Sequence, residues 1–473
     1  MQRIELKNIN LGGIADSDYL GPENSVAEAV NLDLHSEAGV IKVNQKLTKD
    51  SGSTVDDLVL ASIPCSNGST YHFGSTNGKI WERTSGGTWT LRGTVAPAAG
   101  SVGVLDAKEY QGYIYIATQS RLARFAIVTA DTAITLVNNW ATFTNTDASF
   151  HPMEIVNLVL YIGDGKYLAQ VSGVTFSANV LDIASPLRIK CLKQIPTGIL
   201  IGTYVADNIN STQVIMWNTW SVSFSTSDPI PEVGVNSFLD IDNNVILNAG
   251  TKGNLYVYNG SSLEQIKTVK GVYTSTGKAF VHPNAKLNFN NFPLFGVSNV
   301  TGNPCLLGVY SFNRTNRNYP YILNLEYTLS QGNTSNIEIG AICRISSDQF
   351  SVSWKDTTSG TVYGVDVLDL TAKATSAYFT TRVTILQRER LSHFGIIDVG
   401  YRSLPTNTDI QVFKKANSDS SFGSAITAID DTIKMTKSTT VTAAEATRLQ
   451  VKISLVSSAN TAPEVEMMVL TIA

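Results

Sequence analysis

A repeat constrains this chain more than any other feature. One pattern recurs between residues 55 and 375: an apolar strand ending in a small residue, a polar turn, then a second strand rich in aromatics. It reads Tyr71-His72-Phe73-Gly74 with Lys79-Ile80-Trp81, and Tyr113-Ile114-Tyr115-Ile116-Ala117 with Leu122-Ala123-Arg124-Phe125. It returns as Leu160-Tyr161-Ile162-Gly163 with Tyr167-Leu168, and as Ile199-Leu200-Ile201-Gly202 with Val214-Ile215-Met216-Trp217. Val245-Ile246-Leu247 then runs to Gly250 with Leu255-Tyr256-Val257-Tyr258. Two looser copies follow, Pro293-Leu294-Phe295-Gly296 with Leu306 to Tyr310, and Ile337-Glu338-Ile339-Gly340 with Phe350 to Trp354. The small residues at 74, 117, 163, 202, 250, 296 and 340 are separated by 43, 46, 39, 48, 46 and 44 positions. A hairpin-rich period of about 40–50 residues is that of a β-propeller blade. A single four-stranded blade leaves both faces wet, whereas a ring of blades buries them against neighbours and keeps only short edges. The spacing predicts an all-β chain with a propeller of about seven blades over 55–375.

Composition agrees. Hydrophobic residues make up 43% of the chain, enough for a core, and charged residues only 16%, against roughly 25% in ordinary globular proteins. Ser, Thr, Asn and 35 Gly supply the polarity, a mixture suited to strands joined by many turns. Residues 1–54 read as an N-terminal arm. Gly12-Gly13 and Gly21-Pro22-Glu23-Asn24 lead to an expected short helix over Ser25 to Leu32, because Pro22 and Glu23 suit a helix start. Val40 to Val43 is the strand expected to pair with the last blade and close the ring. Residues 376–473 carry at least five strands, around Tyr378–Val383, Gly395–Tyr401, Asp409–Phe413, Arg448–Leu455 and Glu464–Ile472, and read as a C-terminal β-sandwich.

Chemical motifs are scarce. There is no nucleophile elbow, zincin motif, P-loop or dinucleotide fingerprint. The histidines (His35, His72, His151, His282 and His393) stand singly, and those beside proline read as loop residues. Cys65, Cys191, Cys305 and Cys343 are at least 38 residues apart, so they read as core residues rather than zinc ligands. Asp240, Asp242 and Asn244 mimic positions 1, 3 and 5 of a calcium loop, but Val245 and Thr251 stand where Gly and Glu are needed; the segment reads as a turn. Arg382, Arg388 and Arg390 read as a solvated strand face, and Trp217, Trp220 and Tyr258 as packing aromatics. Net charge is −4 with no basic cluster for nucleic acid. Neither a secretory leader nor a membrane span is evident. No catalytic, cofactor-binding or metal residue is assigned, no cofactor is expected, and the chain is not expected to be an enzyme.

Gly86-Gly87-Thr88-Trp89 resembles the end of the Asp-box of sialidase-type propellers, with Glu82 and Thr84 where that motif has Ser and Asp. A second resemblance is broader. Gly12-Gly13-Ile14, the run Leu20-Gly21-Pro22-Glu23-Asn24 through Asn31-Leu32-Asp33, and Gly39-Val40-Ile41-Lys42 look like the start of tailed-bacteriophage virion proteins. Leu404-Pro405, Ile410 to Lys414 and Leu449 to Ile453 are similar to the end of such proteins. The family includes β-propeller tail nozzles, which assemble as rings around the DNA channel. The resemblance implies a virion structural protein of the tail, made in the host cytoplasm. It also implies a cyclic ring of copies, six by analogy, bound to tail or portal-adaptor proteins and passing genomic DNA without reading its sequence. The alternative is a propeller adhesin or tail-fibre attachment protein that binds host-surface glycan.

Overall fold

The computed structural model describes residues 2–96, 103–146, 148–206, 211–242, 244–260, 262–271, 279–299, 306–314, 318, 320–333, 336–385, 392–417, 419–429, 436–444 and 447–472. The chain folds into two compact units. One comprises Lys49–Leu307 and Thr334–Val367; the other comprises Met1–Thr48, Gly308–Asn333 and Leu368–Ala473.

The first unit is the propeller. Five four-stranded antiparallel sheets, each pairing its strands in chain order, occupy residues 59–94, 104–142, 153–182, 187–230 and 235–268. The sixth blade contributes Lys286–Phe289 and Phe292–Asn299 to this unit, and the seventh begins with Ile337–Arg344 and Phe350–Asp356. The seven first strands succeed one another around an axis, and Ile337–Arg344 returns to lie against Val59–Pro64. At that joint Ser353 Oγ donates to the Val59 carbonyl at 2.6 Å.

Apolar seams join each of the first four blades to the next. Phe73, Ile116 and Phe125 fill the first seam, and Ala117, Met153 and Leu160 the second. Leu168, Ile189 and Ile201 fill the third, and Leu200, Val235 and Leu247 the fourth. A closing seam of Val59, Trp81, Ala341 and Val365 joins the seventh blade to the first. Each Val, Leu, Ile, Phe or Met among them is worth about 1.5–3 kcal/mol of burial.

The small residue that marks the repeat has a steric cause. A Cβ on Gly163 would lie 2.6 Å from Ile189 Cγ2, one on Gly202 2.9 Å from Val235 Cβ, and one on Gly296 2.6 Å from Ile339 Cγ2. For Gly163 and Gly296 the nearest obstacle is the first strand of the following blade; Gly202 meets Cys191 Sγ of its own blade as well as that strand. At these three positions the small residue stands where one blade meets the next, whereas Gly74 faces Asp57 and Asn77, and Gly250 faces Glu232. The seventh copy is one strand out of phase, because Gly340 belongs to the first strand of its blade and not the second. It serves the same purpose: a Cβ there would lie 2.0 Å from the Val59 carbonyl oxygen.

Ring closure uses a segment slightly later than the expected Val40 to Val43. Lys42–Val43 instead pairs with Leu32–Asp33. The strand Gln45–Lys49 pairs with Val362–Lys373. Just beyond it, Asp50 N donates to the Val365 carbonyl at 2.9 Å, and Asp50 Oδ2 accepts from Arg83 Nε at 2.8 Å. One residue thus ties the seventh blade to the first.

The second unit gathers both ends of the chain, so residues 1–48 are not a free arm. One sheet has the order Gln2–Leu6, Val465–Ile472, Ser392–Tyr401, Thr436–Ala444. The other includes Thr427–Ile429, Asp409–Ala416, Arg448–Val456, Ala377–Thr381, Val26–Val30 and Ile322–Tyr327, in that order. Arg448–Val456 shows the period of two of a half-buried strand, with Leu449, Val451, Ile453 and Leu455 all inside. The helix expected over Ser25 to Leu32 is the strand Val26–Val30. It runs between a strand on each side, and Val26, Ala27, Ala29 and Val30 are all buried. A segment covered on both faces is apolar without alternation, which a local reading does not separate from a helix. Pro22 makes a turn instead, its carbonyl accepting from Ser25 N at 3.1 Å and Ser25 Oγ at 2.6 Å. The helical structure among the described residues is the 3-10 turn Ile9–Leu11, and no helix is long and apolar enough to cross a membrane.

Candidate functional site

The inner strands converge on the propeller axis, and polar chemistry collects there. Four of the first strands carry a register shift at an equivalent point, skipping Leu60, Leu105, Lys190 and Asn236. Bulges of this kind re-aim side chains. Two of the bulged residues, from adjacent blades, meet directly: Lys190 Nζ donates to Asn236 Oδ1 at 2.7 Å. Asn236 Nδ2 in turn donates to Asn248 Oδ1 and to the Gly250 carbonyl, both at 2.9 Å. Burial pulls the Lys190 ammonium down to about 8.

Beside this chain of contacts lies a cavity of about 150 Å³, lined among others by Ser62, Asp106, Lys108, Glu154, Asn284 and Lys286. Asp106 is buried and accepts from Ala107 N and Met153 N at 2.8 Å each and from Asn284 Nδ2 at 2.9 Å. Burial nonetheless pushes its carboxyl up to about 6, with those donors acting the other way. Asn284 Nδ2 also reaches the Leu60 carbonyl at 2.9 Å, so one amide links the first, second and sixth blades. Lys108 pairs with Glu154 at 3.4 Å and Lys193 with Asp240 at 2.6 Å. Half-buried Lys286 differs: among the described residues its ammonium makes no hydrogen bond or ion pair. Burial lowers its pKa, and Lys193 and Lys108 push the same way against Cys191 and Glu154. Cys191, also on the wall, is held as the thiol because burial pushes it up to about 12; a thiol in that state is a poor nucleophile. The cavity wall presents the Lys108 and Lys286 ammonium groups, the Asn284 amide and the Ser62 hydroxyl beside the carboxylates of Asp106 and Glu154.

In the second unit, His35, Ser311 and Glu326 come together from positions 276 and 15 residues apart. Ser311 Oγ lies 2.9 Å from His35 Nε2 and donates to Glu326 Oε1 at 3.1 Å. In a hydrolytic triad the carboxylate orients the histidine through its second nitrogen. Here it sits on the serine side, with Asn44 Nδ2 at 2.7 Å and Asn324 Nδ2 at 2.8 Å on Oε2. All five residues are buried. Burial lowers His35 to about 4 and raises Glu326 well above the usual carboxylate range. The cluster is an interior polar network that cross-links strands.

The structure also places the residues singled out by sequence. Asp240 accepts from Lys193 and from Asn288 Nδ2 at 3.1 Å, and Asp242 occupies a hairpin turn at φ 50°. Asn243 lies outside the described residues, and among the described residues no group of acidic, His or Cys side chains could hold a metal. Gly86 to Thr88 turn between the third and fourth strands of the first blade, where Thr84 N donates to Thr88 O at 2.9 Å. Glu82, standing where the Asp-box has Ser, is buried against Arg92 Nε at 2.6 Å. His151 and His282 are not loop residues in the solvated sense: both are buried, His151 between the carbonyls of Gly163 and Gln119 at 2.7 and 3.0 Å. Cys65, Cys191 and Cys343 are buried free thiols, and Cys305 lies outside the described residues. Trp217 and Tyr258 pack inside, whereas Trp220 is 81% exposed. Arg382 lines a groove with Tyr19 and Thr384; Arg388 and Arg390 lie outside the described residues. Sequence reasoning passed over Lys190, Asn236 and Lys286; the 46-residue interval between the first two is the repeat period and was the available signal.

The buried histidines make the propeller acid-sensitive. Burial holds His72 and His282 at about 3, well below the ordinary value near 6.5. A base depressed in the folded state contributes stability that is whole above pH 6.5 and is lost as pH falls towards 3. Asp106, raised to about 6, works in the opposite sense: its contribution is whole below about pH 4 and fades as pH rises through 6. Together the three groups predict a loss of about 2 kcal/mol between pH 7 and pH 5. Urea unfolding of the propeller at the two pH values checks this, and an unchanged midpoint would contradict it.

No protein-family model matches the sequence, and no curated protein does. Solved structures with a similar chain path include virginiamycin B lyase from Staphylococcus aureus with quinupristin, at 12% identity over 68% of this chain and 99% of that one, TM-score 0.45. YCF48 from Cyanidioschyzon merolae matches at 9% identity over 68% and 98%, TM-score 0.44. The WD40 repeats of RRP9 match at 9% over 68% and 97%, TM-score 0.47. Similarity of this degree transfers no activity to the chain.

Proposed function

We propose that this chain is a structural subunit of a bacteriophage tail, a nozzle-like member of a ring around the DNA channel that takes part in retaining and ejecting the genome. The observation that carries this reading is the second unit. Both chain ends are woven into it, and its four-stranded sheet ends in two outer strands, Gln2–Leu6 and Thr436–Ala444. Outer strands are where a neighbouring chain can add to a sheet, whereas blades keep only short edges, and repeated use of one such contact generates a cyclic assembly. The resemblance of residues 12–42 and 404–453 to virion proteins supports the same role. A net charge of −4 suits a conduit, because a strongly basic lining would hold phosphates through counterion release. Its partners are then copies of itself, six by analogy, together with tail or portal-adaptor proteins. A propeller adhesin is the second reading, favoured by Trp220 and Val222, exposed on one loop at 81% and 97%. Imaging of particles that contain the chain separates the two: copies ringing the tail axis are expected, and copies confined to peripheral fibres would assign the adhesin.

A further inference from the structure

We infer that the axial cavity of the propeller is a binding site for a small oxyanion, anchored by Lys286. Among the described residues, every other ammonium near the cavity has a hydrogen-bond or ion-pair partner. Lys108 has Glu154, Lys193 has Asp240, and Lys190 has the Asn236 amide oxygen. Lys286 lines the same cavity, is half-buried, and has neither hydrogen bond nor ion pair among the described residues. A partly desolvated ammonium with no counter-charge of its own is available to an anion that enters the cavity. Nothing in the packing demands it, since a neutral side chain of similar length would fill the same space. An anion in the cavity supplies the missing partner.

The dimensions and the wall suit such a ligand. About 150 Å³ holds several waters or one ion of phosphate size. Lys108 stands on the second blade and Lys286 on the sixth, so their ammonium groups approach the cavity from different sides. A doubly charged oxyanion engages both, and inorganic phosphate is the strongest ligand expected among small probes.

Calorimetric titration of the full chain, at ionic strength held constant with chloride, tests this with three separate probes: inorganic phosphate, sulfate and acetate. Saturable binding at one site per chain is expected. Phosphate or sulfate binding without acetate marks a phosphoryl- or sulfuryl-type ligand; acetate binding alone marks a carboxylate. Lys286→Gln is expected to weaken the interaction at least tenfold and Lys286→Arg to retain it. The glutamine variant is also expected to unfold no earlier than the parent in chloride, since it removes an uncompensated charge. Absence of saturable binding for all three anions overturns the inference, as does binding by Lys286→Gln at the parental strength.

Discussion

Trp354→Ala is expected to cost the propeller about 5 kcal/mol and to bring its unfolding into the physiological temperature range. Trp354 is fully buried in the second strand of the seventh blade. Its indole Nε1 donates to Asp366 Oδ1 at 2.7 Å, and Lys49 Nζ stands 5.2 Å from its ring centre. Removing a buried aromatic costs about 3–5 kcal/mol, and withdrawing the indole donor from an interior carboxylate adds about 1 kcal/mol more. Because the side chain underlies the blade on which the ring closes, the whole propeller should unfold in one transition at the lower midpoint. Trp354→Phe keeps most of the packing and should recover more than half of the loss. A midpoint shift for the alanine variant no larger than that of an ordinary surface substitution would show that the seventh blade does not close the ring.

Arg92→Ala is expected to be nearly as damaging, by about 3–5 kcal/mol, because it strands a carboxylate in the interior. Glu82 is fully buried, with Arg92 Nε at 2.6 Å on one oxygen and Ser69 Oγ at 2.6 Å on the other. Arg92 also reaches Asp131. Replacing both partners by apolar groups removes the stranded charge along with the bond, so the double variant Glu82→Met/Arg92→Met should be more stable than Arg92→Ala alone. Urea unfolding of the parent, the single variant and the double variant reads this directly. A double variant less stable than the single one would mean the pair holds the hairpin through its net attraction.

The ring was legible in the sequence because its defining contact is local in pattern. A small residue stands where a blade's second strand touches the next blade at Gly163, Gly202 and Gly296. Spacing alone finds those positions. The seventh copy was misphased because Gly340 meets Val59, a residue far away in sequence, and the local run Ile337-Glu338-Ile339-Gly340 looks the same on either strand. The helix expected at Ser25 failed for a related reason. Val26–Val30 is buried and apolar apart from Glu28, and the strands that flank it lie about 300 and 350 residues away. The pieces of the second unit fall in all three expected domains, since they come from both ends and the middle of the chain.

The axial site was less legible than the fold. Lys108 belongs to the second blade, Asn284 and Lys286 to the sixth, and they share no motif, so only ring closure makes them neighbours. Likewise His35 gives no hint of Ser311, and the pair's chemistry is decided by which side of the histidine Glu326 occupies. Residue types predicted little there; the direction of a hydrogen bond settled the reading.

A cryo-EM reconstruction of the tail in particles that carry this chain tests the proposed role most directly. The account predicts a closed ring of copies, six in number, coaxial with the DNA channel, with the second units of neighbouring copies in contact and tail or portal-adaptor proteins above and below. A single copy per particle, or copies placed only on peripheral fibres away from the channel, would contradict it.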